Sequence, residues 1–334
     1  MSSQALDGRI LVTGAAGLIG SAVLWFLNQQ GHDNILVADR LNQTDKWRNL
    51  AALRFWDYLE GPELRRRIAE KPESLSGISC IFHLGACSST TERDSAFLLD
   101  NNYAFTRELA AWAVQRNVRM VYASSAATYG DGSRGFDDEV DLNRLRPLNA
   151  YGYSKHLFDL HARREGWLDQ LVGLKYFNVF GPNEQHKGDM RSMVVKAFEQ
   201  IQSHGRVRLF KSHRSDYRDG EQQRDFLYVK QAAEWTVRIA TSGASGLYNL
   251  GSGRPHSWNQ LARAVFAALQ LPEHIDYIDM PEELQGRYQY YTCARMQRAE
   301  RLQLAVRDWP LGDAVEDYVQ NYLLCDARLG DEPE

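Results

Sequence analysis

The chain has 334 residues, 44% of them hydrophobic and 25% charged, which is typical of a globular protein with one large domain or two ordinary ones. Its formal net charge of −4 gives no electrostatic reason to expect nucleic acid or a membrane surface as a partner, and no apolar run is long enough to span a bilayer. The four cysteines show neither metal-ligand spacing nor a disulfide pattern, and no signal-peptide pattern is present, so we expect a cytoplasmic protein without a metal site.

A glycine-rich turn follows the first predicted strand. Residues 9–12 form a short apolar run typical of a buried strand, and an amphipathic helix is expected over residues 21–30. Between them, Gly14 permits a tight turn, Gly17 lets the backbone approach a pyrophosphate, and Gly20 lets the helix pack on the strand. Because the free N–H groups of a helix N-terminus favour an anion, this arrangement predicts a dinucleotide site.

The second predicted strand ends in an acidic residue. Residues 34–38 are mostly apolar, and Asp39 follows them about twenty positions past the glycines, where dinucleotide-binding folds carry the acid that binds a ribose hydroxyl. The spacing therefore supports the dinucleotide interpretation of the glycine turn.

Three more apolar runs continue the alternation of strands and helices. Residues 80–84, 120–123 and 172–177 indicate strands, and helices are expected over 97–116 and 151–164. The pattern predicts an α/β protein with a Rossmann-type, doubly wound parallel sheet, in which ligands bind at the carboxyl ends of the strands. The candidate residues that follow these strand ends are Gly85, Ala86, Cys87, Ser88, Ser124, Ser125, Asn178 and Val179. His83, inside one of the apolar runs, is expected to be a hydrogen-bonded structural histidine.

Tyr151 and Lys155 lie at positions i and i+4 and therefore on one face of a predicted helix. The Lys155 ammonium can lower the pKa of the Tyr151 phenol, because a nearby positive charge favours the ionised oxygen. A serine hydroxyl from Ser125 can bind the substrate oxygen whose proton Tyr151 takes. Together with the glycine turn, these three residues predict a nicotinamide-dependent redox site.

The regular alternation stops after residue 182. Residues 208–210 indicate a short strand, and both 226–229 and 246–251 are expected to return to the main sheet. Ser257 and Gln260 form a capping-box pattern at the start of a helix.

These observations predict two domains. We expect a dinucleotide-binding Rossmann domain over residues 1–181 plus about 226–254. A smaller, discontinuous α/β substrate domain is expected over about 182–225 plus 255–334.

Longer strings carry a resemblance to a known family. They are Phe-His-Leu-Gly-Ala-Cys-Ser-Ser-Thr-Thr-Glu at 82–92, Asp-Asn-Asn-Tyr at 100–103, residues 122–130 and 176–182, His-Lys-Gly at 186–188, and residues 284–289. With the glycine turn, Ser125 and the Tyr-x-x-x-Lys pattern, the chain resembles the extended short-chain dehydrogenases/reductases. Within them it is similar to the family of ADP-glycero-manno-heptose 6-epimerases, from about residue 9 to near residue 318.

The resemblance implies an isomerase that acts by internal redox at C6 of an ADP-heptose. A tightly bound NADP takes hydride from C6, the 6-ketone turns about the C5–C6 bond, and the same hydride returns to the other face. The family implies Tyr151 and Lys187 as two acid–base groups, because the rotated intermediate presents its oxygen in a new position. A base works best with a pKa near the working pH, so Lys187 is expected to be partly desolvated or close to a cation such as Lys155.

The resemblance also implies the binding residues. For the cofactor these are Gly14, Gly17, Leu18, Ile19, Gly20, Asp39, Arg40, Lys46, Leu84, Gly85, Ala86, Cys87, Ser88, Asn101, Lys155, Val179 and Lys187. For the nucleotide sugar they are Ser125, Asn178, Asp189, Lys196, Phe210, Arg224 and Tyr288. The planar fork of an arginine suits a diphosphate, because it can bind two oxygens at once. A homo-oligomer is the assembly that the family implies.

The choice of cofactor is open to two interpretations. Asp39 alone favours the free ribose hydroxyl of NAD, whereas Arg40 and Lys46 can bind the 2′-phosphate of NADP. NADP is the expected cofactor and NAD the alternative.

Three changes from the family pattern lie around the substrate. Asp189 replaces a serine, Lys196 replaces a histidine, and residues 213–223 form a longer, more charged segment. A carboxylate beside a diphosphate sugar is unfavourable unless a cation such as Lys196 balances it. These changes leave the residues of the redox chemistry intact. They bear on which sugar the protein converts, because they lie around the substrate.

Two other functions compete with this hypothesis. A nucleotide-sugar 4-epimerase or 4,6-dehydratase is one, although a dehydratase needs an acid–base pair after Ser125, where this chain has Ala126 and Ala127. A non-catalytic nicotinamide-binding protein is the other, and the presence of serine, tyrosine and lysine argues against it.

Overall fold

The computed structural model describes residues 6–285 and 288–331. Its strands are β1 Arg9–Thr13, β2 Ile35–Asp39, β3 Asp57–Glu60, β4 Ile78–His83, β5 Arg119–Ser125, β6 Val172–Tyr176, β7 Asn178–Phe180, β8 Val207–Phe210, β9 Gln223–Tyr228, β10 Gly246–Leu250, β11 Pro255–Ser257 and β12 Ile275–Ile278. Its α-helices are α1 Leu18–Gln29, α2 Gly61–Glu70, α3 Ser95–Leu98, α4 Phe105–Gln115, α5 Ala150–Arg164, α6 Met193–His204, α7 Val229–Thr241, α8 Trp258–Ala268, α9 Glu282–Gln285, α10 Gln297–Glu300 and α11 Leu311–Tyr318.

A seven-stranded parallel sheet forms the centre of the molecule, in the order β10-β6-β5-β4-β1-β2-β3. Strands β2, β6 and β10 are buried along their whole length, as in a parallel sheet covered by helices on both faces. The strand order reverses at β1, and ligands bind at such a switch point, outside the carboxyl ends of the strands. The predicted Rossmann-type fold is confirmed.

Local sequence explains how the chain passes from β1 into α1. Gly14 has φ +67°, a left-handed conformation that favours glycine, and it turns the chain directly after the strand. Gly31, with φ +85°, follows the end of α1 in the same left-handed region. The capping box predicted at Ser257 and Gln260 is present at the start of α8.

The prediction that residues 226–229 return to the main sheet is wrong. Strand β9 instead pairs in parallel with β7 and antiparallel with β11 in a separate three-stranded sheet. The physical reason is that the place beside β6 is taken by β10, whereas β7, which follows β6 in the chain and lies outside the main sheet, gives β9 a parallel partner. Strand β8 pairs with β12 in a third sheet of two strands.

Two buried apolar clusters fill the described part of the chain. The larger packs around the seven-stranded sheet, and the smaller joins β8, β9 and helices α6, α8 and α11. Phe180, Phe226 and Tyr228 belong to the smaller cluster, although the predicted boundaries assign them to the Rossmann domain. The two-domain division stays a prediction.

Candidate functional site

A cleft of roughly 550 Å³ opens at the carboxyl ends of β1, β4, β5 and β6. It collects residues that are far apart in the sequence, from the glycine turn, the ends of four strands, helix α5 and the segment around His186. The predicted site residues that line it are Gly14, Gly17, Leu18, Ile19, Gly20, Asp39, Lys46, Leu84, Gly85, Ala86, Ser88, Ser125, Tyr151, Lys155, Asn178, Val179, Lys187 and Lys196.

Two neighbouring hollows receive most of the remaining predicted residues. Arg40, Cys87 and Asn101 line a hollow of roughly 220 Å³, whose wall also includes Gly14 and Asp39. A groove of roughly 810 Å³ shares Lys196 and Trp258 with the main cleft, and its walls include Phe210 and Tyr288.

Asp189 and Arg224 are not among the residues that line these three cavities. The side chain of Asp189 is exposed, and Lys196 donates its Nζ hydrogen bond to the Asp189 backbone carbonyl at 2.7 Å rather than to the carboxylate. The Asp189 carboxylate thus does not line the cleft. The expectation that a cation such as Lys196 must balance this carboxylate beside the substrate therefore does not apply to this arrangement. Gly286 and Arg287, part of the string at 284–289, lie outside the described residues.

The glycine turn leaves room for a ligand on one side only. A Cβ at Gly20 would lie 1.9 Å from the Gly14 carbonyl oxygen, and one at Gly14 would lie 2.6 Å from Gly85, so both glycines allow close backbone packing. A Cβ at Gly17 would meet only the Gly14 carbonyl oxygen, at 3.1 Å, and would otherwise project into the cleft. Gly17 also caps α1, so the free N–H groups of this helix N-terminus line the same space. The residues present therefore fit the pyrophosphate of a dinucleotide.

Asp39 is tied both to the glycine turn and to a cation. Its Oδ2 accepts the Ala16 N–H at 2.8 Å, and its Oδ1 accepts the Arg40 N–H and the Lys46 ammonium, each at 2.6 Å. The carboxylate is thus nearly neutralised before any ribose arrives. This arrangement relieves the repulsion that an isolated acid would exert on a 2′-phosphate.

Tyr151, Ser125 and Lys155 meet at the end of β5, as their spacing predicted. The Ser125 hydroxyl accepts the Ala127 N–H at 3.1 Å and is hydrogen-bonded to the Tyr151 phenol. Lys155 is 5% exposed and donates its Nζ hydrogen bond to the Ala123 carbonyl at 2.9 Å.

The electrostatic prediction for Tyr151 is wrong in this arrangement. Burial raises the pKa of Tyr151, and the hydrogen bond from Ser125 opposes that rise only in part. Burial lowers the pKa of Lys155 to about 8, because desolvation disfavours the ammonium more than Asp159 and Cys87 favour it. Spacing alone predicted a lowered phenol pKa, since it carries no information on burial.

Lys187 lies in the segment Gln185–Met190. This segment is far from the glycine turn in the sequence but lines the same cleft. Burial lowers the pKa of Lys187, and the Glu184 carboxylate opposes that shift only in part. This direction is the one expected of a lysine that must act as a base near neutral pH.

In the sequence, His186 stands out only as part of the His-Lys-Gly string, yet through Asn49 it links two parts of the site. It lines the cleft, and burial together with Lys46 and Lys187 lowers its pKa to about 4, so the ring is neutral at neutral pH. Its Nδ1 lies 3.3 Å from the Asn49 amide nitrogen, which also donates to the Ala16 carbonyl oxygen at 2.8 Å. The glycine turn and the His-Lys-Gly segment are thus held together.

Asn102 is a second residue whose role the sequence did not reveal. Its Oδ1 accepts the Cys87 N–H at 2.9 Å, and its Nδ2 donates to the Cys87 carbonyl at 2.9 Å and to Ser154 Oγ at 3.1 Å. It sits in a π-helical segment, Leu99–Ala104, that joins α3 to α4. Such segments occur often at functional sites, and this one fixes the loop after β4 against α5. The signal available in the sequence was the string at 100–103.

His83 is hydrogen-bonded on both ring nitrogens, as expected of a structural histidine. Its Nδ1 lies 2.7 Å from Thr13 Oγ1, and its Nε2 lies 2.8 Å from Thr106 Oγ1. Burial lowers its pKa to about 3, with a smaller contribution from the Lys155 charge.

Arg224 is a buried cation held by aromatic rings. It is 8% exposed, and its guanidinium carbon lies 5.2 Å from the ring centre of Tyr288 and 5.7 Å from that of Trp258. The Tyr288 hydroxyl accepts the Trp258 indole N–H at 2.7 Å, which orients both rings. Among the residues that the structure describes, no carboxylate forms an ion pair with Arg224. A buried, unpaired guanidinium is suited to binding an anion.

Metal and membrane features are not found in the described ranges 6–285 and 288–331. There, no group of three or more histidine, cysteine, aspartate or glutamate side chains could hold a metal ion. Within the same ranges, every helix is too short or too polar to span a lipid bilayer.

The chain is similar in sequence to known proteins along nearly its whole length. The model of the NAD dependent epimerase/dehydratase family matches residues 10–251. The ADP-L-glycero-D-manno-heptose-6-epimerase of Nitratidesulfovibrio vulgaris (strain DP4) is 47% identical over 316 residues, which cover 94% of this chain and 97% of that protein. The protein of the same name from Fusobacterium nucleatum subsp. nucleatum is 42% identical over 325 residues, which cover 94% of this chain and 98% of that protein.

Solved structures of similar proteins share the fold of this chain. The Helicobacter pylori ADP-L-glycero-D-manno-heptose-6-epimerase has a TM-score of 0.80 at 26% identity and covers 96% of this chain and 98% of its own. The UDP-glucose 4-epimerase of Thermotoga maritima has a TM-score of 0.77 at 23% identity, covers 96% of this chain and 100% of its own, and supports the fold alone. With residues 10–251 matching the family model and relatives at 42–47% identity along nearly its whole length, this chain belongs to the NAD dependent epimerase/dehydratase family.

Proposed function

We propose that this protein interconverts ADP-D-glycero-D-manno-heptose and ADP-L-glycero-D-manno-heptose by oxidation and re-reduction at C6. The observation that carries the proposal is that two proton-transfer groups, Tyr151 and Lys187, line the same cleft as the glycine turn. Relatives that are 42–47% identical along nearly the whole chain carry the name of this activity, which supports the choice of substrate.

A nicotinamide cofactor whose pyrophosphate is held at the glycine turn would supply the acceptor for the C6 hydride and return that hydride. Ser125 binds the C6 oxygen through its hydroxyl, next to the Tyr151 phenol. One of the two groups, Tyr151 or Lys187, takes the hydroxyl proton as the ketone forms. After the C5–C6 bond has turned, the other group gives a proton to the oxygen in its new position. Proton exchange with water then returns both groups to their starting states, so protons and hydride balance over the cycle.

The pKa values of the two acid–base groups are shifted in opposite directions from their usual values. The lowered pKa of Lys187 lets a larger part of the population carry a neutral amine than an exposed lysine would at the same pH, and the neutral amine is the form able to accept a proton. The raised pKa of Tyr151 keeps its phenol protonated, which is the form able to donate. In this arrangement we assign Lys187 as the group that is better prepared to act as the base and Tyr151 as the better prepared acid.

Arg224 binds the diphosphate of the nucleotide sugar. Its unpaired buried charge and its position beside Tyr288, which lines the groove next to the cleft, support this role. Phe210 and Lys196 line the same groove, so the groove is the proposed place of the ADP part.

NADP is the proposed nicotinamide cofactor. Lys46 neutralises Asp39, and the Arg40 side chain lies over Gly61, with Arg40 Cγ 3.2 Å from an ideal Cβ there. With the Asp39 charge offset by Lys46, the Arg40 cation supports binding of an adenosine 2′-phosphate. The nucleotide that is released by denaturing the purified protein, identified by mass, tests this: NADP supports the proposal, and NAD contradicts it.

The activity is tested with the purified protein and ADP-D-glycero-D-manno-heptose, with NMR of the anomeric and C6 protons as the readout. Appearance of the L-glycero epimer supports the proposal. No conversion by protein that holds its nicotinamide contradicts it.

A homo-oligomer is proposed from the family alone, and light scattering of the purified chain tests it: a mass of one chain contradicts it. A dehydratase activity is not favoured, because Ala126 and Ala127 open the short helical segment after Ser125 and offer no acid–base pair.

A further inference from the structure

A fully buried ion pair lies beneath the end of β5. The Lys175 ammonium nitrogen is 2.9 Å from Asp159 Oδ2, and neither side chain has exposed surface. Lys175 comes from β6 and Asp159 from α5, so the pair joins the sheet to the helix that carries Tyr151 and Lys155. A buried ion pair adds little net stability, because the cost of desolvating two charges offsets their attraction. Stability alone is therefore a poor reason for two charges at this place.

The Asp159 carboxylate is held by donors from β5. Its Oδ1 accepts the Tyr122 hydroxyl at 2.9 Å, and its Oδ2 accepts the Ser124 hydroxyl at 2.7 Å in addition to Lys175. Gly173 makes room for this contact, since a Cβ there would lie 2.4 Å from the Tyr122 hydroxyl oxygen. The carboxylate thus fixes the side-chain positions of two β5 residues relative to α5.

The Lys175 ammonium extends the network to Ser125. It donates to Thr128 Oγ1 at 2.6 Å and lies 5.0 Å from the ring centre of Tyr129. The Thr128 hydroxyl in turn donates to the Ser125 carbonyl at 2.8 Å. The backbone of Ser125 is thereby linked to the ion pair through one side chain.

Lys155 and Asp159 are one turn apart on α5 and form hydrogen bonds with consecutive residues of β5. Lys155 donates to the Ala123 carbonyl at 2.9 Å, and Asp159 accepts from Ser124, the next residue. With the bond from Thr128, the last three residues of β5 are each held by this network.

We propose that Asp159 and Lys175 are positioning residues that hold the Ser125 hydroxyl and the Lys155 ammonium in place at the carboxyl end of β5. The proposal depends on the proposed function only through the role given there to Ser125.

The charge of Asp159 also acts on Lys155. Asp159 raises the pKa of Lys155 against the larger lowering by burial, and Cys87, in the loop after β4, raises it as well. His83 on β4 also interacts with the Lys155 charge, and it is neutral at neutral pH. Removing the Asp159 charge should therefore lower the pKa of Lys155 further, so that Lys155 loses its proton at a lower pH.

The test variant combines Asp159→Asn with Lys175→Met, which removes both charges and leaves an amide oxygen as an acceptor for β5. We expect the variant to fold and to keep its nicotinamide. Its kcat should fall about tenfold to a hundredfold with little change in KM, because a small displacement of reacting groups costs about this much in rate. In ¹⁵N NMR of labelled lysine, the Lys155 Nζ signal, assigned with Lys155→Met, should titrate at a lower pH than in the parent.

The chain offers a matched control in a second Lys–Asp pair. Lys230 Nζ lies 2.6 Å from Asp317 Oδ2, the two side chains are 13% and 16% exposed, and neither residue lines the cleft. The variant Lys230→Met with Asp317→Asn removes a pair of the same chemistry. It should leave both kcat and the Lys155 titration unchanged.

A neutral Asp159–Lys175 variant that folds with the parent kcat and an unchanged Lys155 titration would show that the pair is only structural, and the proposal would be wrong. Should that variant not fold, Thr128→Val decides, because it removes the hydroxyl between Lys175 and Ser125 without removing a charge. A several-fold lower kcat supports the proposal, and an unchanged kcat overturns it. The NMR titration needs no sugar, so a parent protein that fails to convert the heptose contradicts the proposed function and leaves this test intact.

Discussion

Replacing Arg224 with methionine should make the protein more stable and its substrate binding weaker. Arg224 is 8% exposed, its Nη1 donates to the Gln223 carbonyl at 2.9 Å, and its guanidinium lies beside Tyr288 and Trp258. Methionine keeps most of the side-chain length and its contact with the rings but removes the charge.

The stability change follows from two opposing contributions. Desolvation of a buried ion costs several kcal/mol, whereas each cation–π contact returns about 1 kcal/mol and the hydrogen bond about 1 kcal/mol. Burial lowers the pKa of Arg224, which means that desolvation outweighs the favourable neighbours. We therefore expect Arg224→Met to unfold at a higher temperature, by about 2–4 °C for each kcal/mol gained.

Binding should change in the opposite direction. Two charge-assisted hydrogen bonds to a diphosphate contribute about 1.5–3 kcal/mol each, so their loss should raise KM by about 10²-fold to 10⁴-fold, since 1.4 kcal/mol corresponds to a factor of ten. Because the diphosphate is remote from C6, ground state and transition state lose the same interaction, and kcat should change little.

Calorimetry and steady-state kinetics measure the two effects, and Arg116→Met is the control. The Arg116 guanidinium carbon also lies over a ring, 5.1 Å from the ring centre of Trp112, but Arg116 is exposed and lines none of the three cavities. The control should change neither the melting temperature nor KM. An Arg224→Met protein that melts below the parent, or whose KM stays within about threefold of it, would refute the reasoning.

Three further variants test other parts of the site. Lys187→Met should lower kcat by about 10²-fold to 10⁴-fold while the nicotinamide stays bound, as seen in the absorbance of the released nucleotide. Because burial lowers the pKa of Lys155 from 10.5 to about 8, the unfolded chain holds that proton more tightly, so the free energy of unfolding should rise as the pH rises from about 8 to 10.5. Lys155→Met should remove this rise in urea titrations. Gly20→Ala should destabilise the protein by about 1–3 kcal/mol and release the nicotinamide, because the new Cβ would lie 1.9 Å from the Gly14 carbonyl oxygen.

Each of these expectations has a contradicting result. A Lys187→Met protein with the parent kcat would exclude the second acid–base group. If the free energy of unfolding depends on pH in the same way with and without Lys155, the lowered pKa of the buried Lys155 ammonium is excluded. A Gly20→Ala protein that keeps both its melting temperature and its nicotinamide would contradict the close packing of the turn.

Local patterns predicted those parts of the site in which neighbours in sequence decide the geometry. The glycine spacing gave the turn between β1 and α1, and the i, i+4 spacing placed Tyr151 and Lys155 on one helix face. The fold class followed from the alternation of apolar runs and helices. In each case, the backbone period converts spacing into position.

Features that depend on tertiary packing could not be predicted in this way. The pKa of Tyr151 is raised rather than lowered, because burial depends on all the elements that cover the cleft. Strand β9 was assigned to the wrong sheet, because the competition of β10 for the edge of β6 cannot be inferred from either strand alone. Strand β3, at Asp57–Glu60, was missed, because an edge strand with one buried residue has no apolar run.

The Asp159–Lys175 pair shows the same limit for single residues. Asp159 lies four positions after Lys155, a spacing that suggests an ion pair on the surface of a helix. The partner of Asp159 is instead Lys175 on β6, and the side chains of Asp159 and Lys175 are both fully buried. Only the packing of α5 on the sheet shows that the two charges meet.

The central claim is that hydride leaves C6 and returns to the same carbon without exchange with solvent. The most direct test is conversion of unlabelled ADP-D-glycero-D-manno-heptose by the purified protein in D₂O, followed by NMR and mass spectrometry of the product. The account predicts the L-glycero epimer with ordinary hydrogen retained at C6. Deuterium at C6 of the product, or no epimer from protein that holds its nicotinamide, would contradict it.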